Sequence, residues 1–248
     1  HTLIDKILSS NNKLIPLDSE HFSLSNINFK NDNIKKIYIT ASGGPFYFKK
    51  NINFEKVSLD NVLAHPKWKM GVNNSIDSSN FINKILEIYE LSIIYKINLS
   101  KIDFLISKEA YVHSVVLRND NIVNLNCFNN DMLITLVNPL AKFYPFTDLK
   151  INSHFLDNKM LKLEKFNDKR FKINKYLKTL KNLSPQNQIL FMILNNIAQK
   201  KYLSKEIKYN EILDFIMTNL KKPAKSVLFK SINDRLKFID SIEKKYDT

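Results

Sequence analysis

Three glycines serve a chain of 248 residues; two stand side by side at Gly43 and Gly44, and the third is Gly71. Glycine is needed where a backbone turns through positive φ or comes very close to another group, so a sequence this poor in it keeps it where other residues fail. Cysteine is scarcer still. Cys127 is alone, which excludes an internal disulfide framework and any metal site built of several cysteines, and fits a reducing compartment. Arginine is limited to Arg118, Arg170 and Arg235, so lysine carries the formal charge of +14. Lysine is a solvated point charge, less suited than arginine to bidentate reading of phosphates or bases. Much of the excess lies late in the chain, where 21 Lys and Arg face 10 Asp and Glu from Ile151 onward. No run reaches the roughly eighteen apolar residues of a membrane span, and no secretory signal opens the chain. These absences lead us to expect a cytoplasmic protein with neither nucleic acid nor membrane as a partner.

With 44% hydrophobic and 25% charged residues, the chain has the composition of a globular protein that buries a core. It starts at His1 inside what reads as a helix over Thr2–Ser9, with Leu3, Ile4, Ile7 and Leu8 on one face. We expect this to be the remainder of a longer protein. Lys13–Leu17 reads as a strand ending in a polar tip, and Lys35–Ala41 as a second strand. A loop-rich stretch over Val57–Gly71 follows, then a helix over Asp77–Tyr95. Strands are predicted over Ile102–Ser107, Tyr111–Leu117 and Ile122–Cys127, the last two a hairpin, with a helix over Asp131–Leu140. Residues 146–170 are polar and weakly periodic, as in a linker. Beyond them four helices are drawn at 171–182, 186–201, 209–221 and 225–244, with Ser184-Pro185 as a cap and first-turn proline. Mixed α/β followed by all-α implies two domains.

Several groups stand out chemically. Asp18 and Glu20 are two apart, so on a strand they share a face, where they suit a hard divalent cation or simply form an exposed strand end. Asp77-Ser78 offers a cap and an anion-binding start for the predicted helix, with Asn83, Lys84 and Glu87 clustered along its first turns, a surface Lys-Glu pair being the plainer alternative. His65, Trp68 and Met70 share a loop with Gly71. His113 falls within a strand.

In order and spacing these pieces resemble the 1-deoxy-D-xylulose 5-phosphate reductoisomerase family of the non-mevalonate isoprenoid pathway. L-I-P-L-D-S-E-H is similar to the family's L-P-V-D-S-E-H, and I-T-A-S-G-G-P-F to its L-T-A-S-G-G-P-F. A-H-P-K-W-K-M-G resembles A-H-P-x-W-x-M-G, and S-I-D-S-S-N-F-I-N-K-I-L-E resembles S-x-D-S-A-T-M-M-N-K-G-L-E. Y-V-H-S-V-V and N-D-M-L-I-T-L are similar to I-x-H-S-M-V and P-D-M-R-T-P-I.

The resemblance implies an α/β (α+β) catalytic domain with a mixed sheet, followed by a C-terminal α-helical bundle. Residues 1–17 would be the remnant of a nucleotide-binding domain, 18–145 the metal and sugar-phosphate domain, 146–170 the linker and 171–248 the helical domain. It further implies Asp18, Glu20 and Glu87 as ligands of Mg²⁺ or Mn²⁺. Ser42, Ser78, Asn83 and Lys84 would hold the substrate phosphate, with Ser19 near its hydroxyls and His65 binding substrate from the loop. Trp68 on that lid and His113 beside the pocket complete the enclosure, and Met70, Gly71 and Met132 would lie near the nicotinamide of NADPH. The implied reaction is rearrangement and NADPH-dependent reduction of 1-deoxy-D-xylulose 5-phosphate to 2-C-methyl-D-erythritol 4-phosphate, by a homodimer.

The chain also departs from the family. No glycine-rich NADPH loop or A-N-K-E segment is present, Asn80 stands for threonine, Phe81-Ile82 for a methionine pair, Leu133 for arginine, and Gln199 for the glutamate of L-N-A-A-N-E. Two other functions stay open on the residues: a nicotinamide-independent, metal-dependent sugar-phosphate binding or isomerising protein, and a basic helical interaction module.

Overall fold

A computed structural model describes residues 10, 14–29, 33–64, 70–141, 161–220 and 231–246. The expected helix over Thr2–Ser9 and the lid residues His65 and Trp68 lie outside them. Among the described residues the helices are α1 (Ser19–Phe22), α2 (Leu59–Leu63), α3 (Val72–Ser79), α4 (Ile82–Ile94), α5 (Met132–Ala141), α6 (Ile173–Leu180), α7 (Pro185–Leu203), α8 (Ile212–Leu220) and α9 (Ile232–Tyr246). The strands are β1 (Ile34–Ala41), β2 (Ile102–Ile106), β3 (Val112–Arg118), β4 (Val123–Cys127) and β5 (Glu164–Lys165). Contacts divide the chain into two units, each made of separate stretches.

One unit, Ile7–Gly43 with Glu90–Phe166, holds the whole sheet, in the order β4-β3-β1-β2-β5. β1 runs parallel to β2, with Ile37 opposite Ile102 and Ile39 opposite Phe104, and antiparallel to β3, with Ile37 opposite Val116. All of these side chains are buried, the period of two putting the β-branched and aromatic residues of central strands into the core. The β3–β4 hairpin turns through Asn121 at φ +65, with the Asp120 carboxylate accepting the Ile122 N–H at 3.2 Å. The sheet is the mixed one expected. Its edge strand β5 falls within the stretch taken as linker, pairing Lys165 and Glu164 with Leu105 and Ile106 while the Phe166 ring lies 5.2 Å from that of Phe104. Two paired residues are too few to show a period in the sequence. Residues 146–160 of that stretch lie outside the described residues.

The other unit, described over 44–64, 70–89, 167–220 and 231–246, is helical. Its core is aromatic: Phe46, Phe54, Phe81, Phe171 and Tyr209 meet edge-on or stacked at 4.9–6.0 Å between centroids. Arg170 ties distant stretches together, donating to the Tyr47 carbonyl at 2.8 Å and to the Asp168 carboxylate, which its guanidinium holds below the ordinary range. Tyr89 donates to the Leu180 carbonyl at 2.7 Å. Ile193, Ile197 and Phe238 pack α7 against α9 with Phe215 and Tyr246 alongside. The predicted start of α7 is observed: Ser184 Oγ accepts the Asn187 N–H, and Pro185 opens the helix. The loop-rich Val57–Gly71 stretch contains α2, started by a reciprocal Ser58–Asn61 cap.

Candidate metal and phosphate site

The turn carrying Asp18 and Glu20 is not a strand. Residues 14–17 have no regular structure, and Asp18 is the N-cap of α1, its Oδ1 accepting the N–H groups of Glu20 at 3.1 Å and His21 at 3.3 Å. The D-S-E-H stretch thus reads as a cap followed by a first turn, because aspartate satisfies free N–H groups more strongly than the short apolar run before it favours a strand. The cap fixes the Asp18 side chain, and Ser19 Oγ donates to the Glu20 carboxylate. Behind them His21 is buried, its Nδ1 3.4 Å from Asp18 and 3.7 Å from Glu90, while its carbonyl accepts the Tyr95 hydroxyl at 2.7 Å. Glu90 went unnoticed in the sequence; its signal is the step of three from Glu87 on one helix.

Asn83, Lys84 and Glu87 come together on α4. Lys84 Nζ lies 2.6 Å from Glu87 Oε2, Asn83 Nδ2 donates to Oε1, and both Lys84 and Glu87 are buried. A buried carboxylate with an ammonium and an amide on its two oxygens is a strong local dipole, and charged groups are kept in such a place only when paired. The donor chemistry suits two ligands: oxygens for a hard cation, and cationic and amide N–H for an anion.

Ser78 is placed differently from the prediction. The stretch read as one helix from Asp77 is two, α3 ending at Ser79 and α4 starting at Ile82. Phe81 stands between them at φ +66, and Asn80 Oδ1 accepts the Ile82 N–H at 2.9 Å, closing the break. Ser78 therefore sits in the last turn of α3, not at a helix N-terminus, so no free helix start is there to bind an anion and any phosphate contact of Ser78 would be made by its hydroxyl. What holds Ser78 is a packed backbone. Gly44, at φ +58, has no Cβ, and one placed there would lie 3.0 Å from the Ser78 carbonyl oxygen. Gly43 is at φ +92, so both paired glycines take the left-handed backbone for which glycine is kept.

Asp77 is not a cap either. It is buried, with Asn195 Nδ2 donating to its oxygens at 3.0 and 2.9 Å and Gln199 Nε2 to Oδ1 at 2.6 Å. Burial raises its carboxyl from 3.8 to about 6, against the pull of the two amides. Ser79 is buried with its hydroxyl 2.9 Å from that of Tyr209, whose own ionisation burial pushes far up.

The remaining candidates are spread out. Ser42 is half-buried after β1. His113, buried in β3, stacks on Phe128 at 3.7 Å, and Phe128 in turn meets Phe22 of α1 at 5.9 Å. Gly71 is the N-cap of α3 at an ordinary φ of −57 with nothing within 4 Å of an added Cβ, so its freedom is not used as that of Gly43 and Gly44 is. Met70 is half-buried and Met132, opening α5, is 45% exposed.

Comparison with known proteins agrees with the motifs. The family model described as the 1-deoxy-D-xylulose 5-phosphate reductoisomerase C-terminal domain matches residues 14–95. The 1-deoxy-D-xylulose 5-phosphate reductoisomerase of Pelagibacter ubique (strain HTCC1062) is 34% identical over 226 residues, covering 89% of this chain and 57% of that protein. That of Sulfurihydrogenibium sp. (strain YO3AOP1) is 31% identical over 216 residues, 85% of this chain and 56% of the relative. The chain therefore spans a little over half the length of these relatives. Its fold is similar to that of a crystal structure of DOX-P reductoisomerase in complex with NADPH, fosmidomycin and magnesium, with a TM-score of 0.81, 24% identity, and coverage of 98% of this chain and 64% of that one. The Zymomonas mobilis enzyme in complex with NADPH matches with a TM-score of 0.80 at 22% identity over 99% and 64%. By its motifs, its family match and these relatives, the chain belongs to the 1-deoxy-D-xylulose 5-phosphate reductoisomerase family.

Proposed function

We propose that this chain carries the metal- and phosphate-binding part of a 1-deoxy-D-xylulose 5-phosphate reductoisomerase and serves the NADPH-dependent conversion of that sugar phosphate to 2-C-methyl-D-erythritol 4-phosphate in isoprenoid biosynthesis. The observation that carries the proposal is the N-K-x-x-E arrangement on α4, where Asn83 and Lys84 converge on the buried Glu87 carboxylate. A lone surface Lys-Glu pair has no reason to be buried. A helix that presents both an anion's donors and a cation's oxygen does.

In this reading, which follows the family resemblance of the motifs, Asp18, Glu20 and Glu87 would each give a carboxylate oxygen to Mg²⁺ or Mn²⁺. Their all-oxygen donor set fits such an ion, and the capping bonds that fix Asp18 preorganise one member of it. The bound ion supplies Lewis acidity toward sugar oxygens. Lys84, Asn83, Ser78 and Ser42 take the phosphate end, and Ser19 orients hydroxyls. His65 and Trp68 would exclude water from the loop, His113 would wall the pocket, and Met70, Gly71 and Met132 would face the nicotinamide. The helices α6–α9 would form the family's C-terminal bundle, and the working assembly would be a cytoplasmic homodimer, with no nucleic acid as partner.

The test is calorimetry of the phosphonate fosmidomycin against the chain with Mn²⁺. Glu87→Gln is expected to abolish metal-dependent binding while leaving the melting temperature within a few degrees. Unchanged affinity in that variant would overturn the metal assignment.

A further inference from the structure

Ser78 is half-buried, yet both of its neighbours are locked: Asp77 is 6% exposed and Ser79 is 0% exposed. The lock on Asp77 comes from α7. Asn195 and Gln199 lie one helical step of four apart on that helix, both 1% exposed. They meet the matching step of four on α3, Gln199 Nε2 donating to the Asn73 carbonyl at 3.3 Å and to Asp77 at 2.6 Å, and Asn195 donating to both Asp77 oxygens. Two amides are thus laid along one face of α3 with their donors aimed at an acceptor-only group. Ser79 is fixed from another element through Tyr209, and the Ser78 carbonyl abuts Gly44, which has no side chain to displace it. These contacts fix the backbone on both sides of Ser78.

We propose that Asp77 is a positioning residue for the phosphate end of the substrate: clasped by Asn195 and Gln199, it fixes the last turn of α3 so that the Ser78 hydroxyl is held ready for the anion. This rests on the reading of Ser78 as a phosphate ligand. Asp77 itself touches no substrate; it acts through its neighbour. Anchoring a hydroxyl before the ligand arrives removes ordering that would otherwise weaken binding. The amide oxygens of Asn195 and Gln199 are buried and without a hydrogen-bond partner among the described residues, so both amides meet α3 through their donors, at Asp77 and, from Gln199, also at the Asn73 carbonyl.

Calorimetry of fosmidomycin with Mg²⁺ on the full chain separates this from a merely structural role, using Ser78→Ala, Asp77→Ala, their double variant and Asp77→Asn. Ser78→Ala and Asp77→Ala are each expected to weaken binding about tenfold, the double variant to be within about twofold of Ser78→Ala alone, and Asp77→Asn to recover most of the affinity. Additive losses in the double variant, or wild-type affinity in Asp77→Ala beside a weakened Ser78→Ala, overturn the positioning role and leave the phosphate reading standing. Wild-type affinity in Ser78→Ala overturns the phosphate reading instead, and the positioning role with it. Should Asp77→Ala not fold, Gln199→Ala removes the hydrogen bonds to Asp77 and to the Asn73 carbonyl and keeps Asn195 as the carboxylate's other partner; its effect must likewise vanish in the Ser78→Ala background, and persistence there overturns the proposal.

Discussion

At the scale of single residues, Asp77 has a consequence for stability that can be signed. Its carboxyl is raised from 3.8 to about 6, so below the lower value both folded and unfolded chains hold the proton, and between the two only the folded chain does. Stability therefore falls as pH rises through that window, by up to about 3 kcal/mol from this group, and stays reduced above it. Asp77→Asn is expected to remove that slope and to be the more stable protein at pH near 7.5, as read by urea denaturation at acid and neutral pH. Parallel profiles for the two proteins would refute the shift. The glycines divide in the same quantitative way. Gly44→Ala meets both a left-handed φ and the Ser78 carbonyl oxygen at 3.0 Å, and is expected to destabilise by about 1–3 kcal/mol. Gly71→Ala, at an ordinary φ in open space, is expected to stay within about 0.5 kcal/mol. Thermal melts that showed equal losses would count against this account of why the paired glycines are kept.

At the scale of elements, what could be read depended on how local the cause was. The cap at Ser184 with Pro185, and the apolar alternation of β1 to β3, are written into neighbouring residues and are legible there. The D-S-E-H turn reads as a strand end because Asp18 serves two purposes: the same carboxylate that looks like half of a metal pair caps α1. The α3–α4 break was missed because the apolar spacing of Phe81, Ile82, Ile85 and Leu86 continues across it, while the signals that end one helix and start the next are a single Asn80 and a left-handed Phe81. Phe81 tolerates that strain because its ring is buried against Tyr47 and Phe171. Asn80→Ala removes the acceptor of the Ile82 N–H and is expected to cost about 1 kcal/mol, checked by denaturant midpoints. No change would mean that the break is set by the Phe81 packing alone.

At the scale of the whole molecule, pairings between stretches a hundred residues apart leave no mark in local spacing. Arg170 to the Tyr47 carbonyl, Tyr89 to that of Leu180, and Asn195 to Asp77 are of this kind. That is why candidate site residues are nameable from motifs while these long-range contacts are not. Net charge is the one global property that the sequence states outright, and it sets the last expectation. A charge of +14 carried by lysine, with Arg170 already committed to Asp168 and backbone carbonyls, attracts any polyanion without reading it. Binding to duplex DNA is therefore expected to be micromolar or weaker, independent of base sequence, and to fall by about a thousandfold between about 50 and about 200 mM salt, as fluorescence anisotropy would follow. Nanomolar binding that kept a sequence preference at the higher salt would instead favour the basic interaction module, since counterion release by solvated lysines supplies affinity and carries no sequence information.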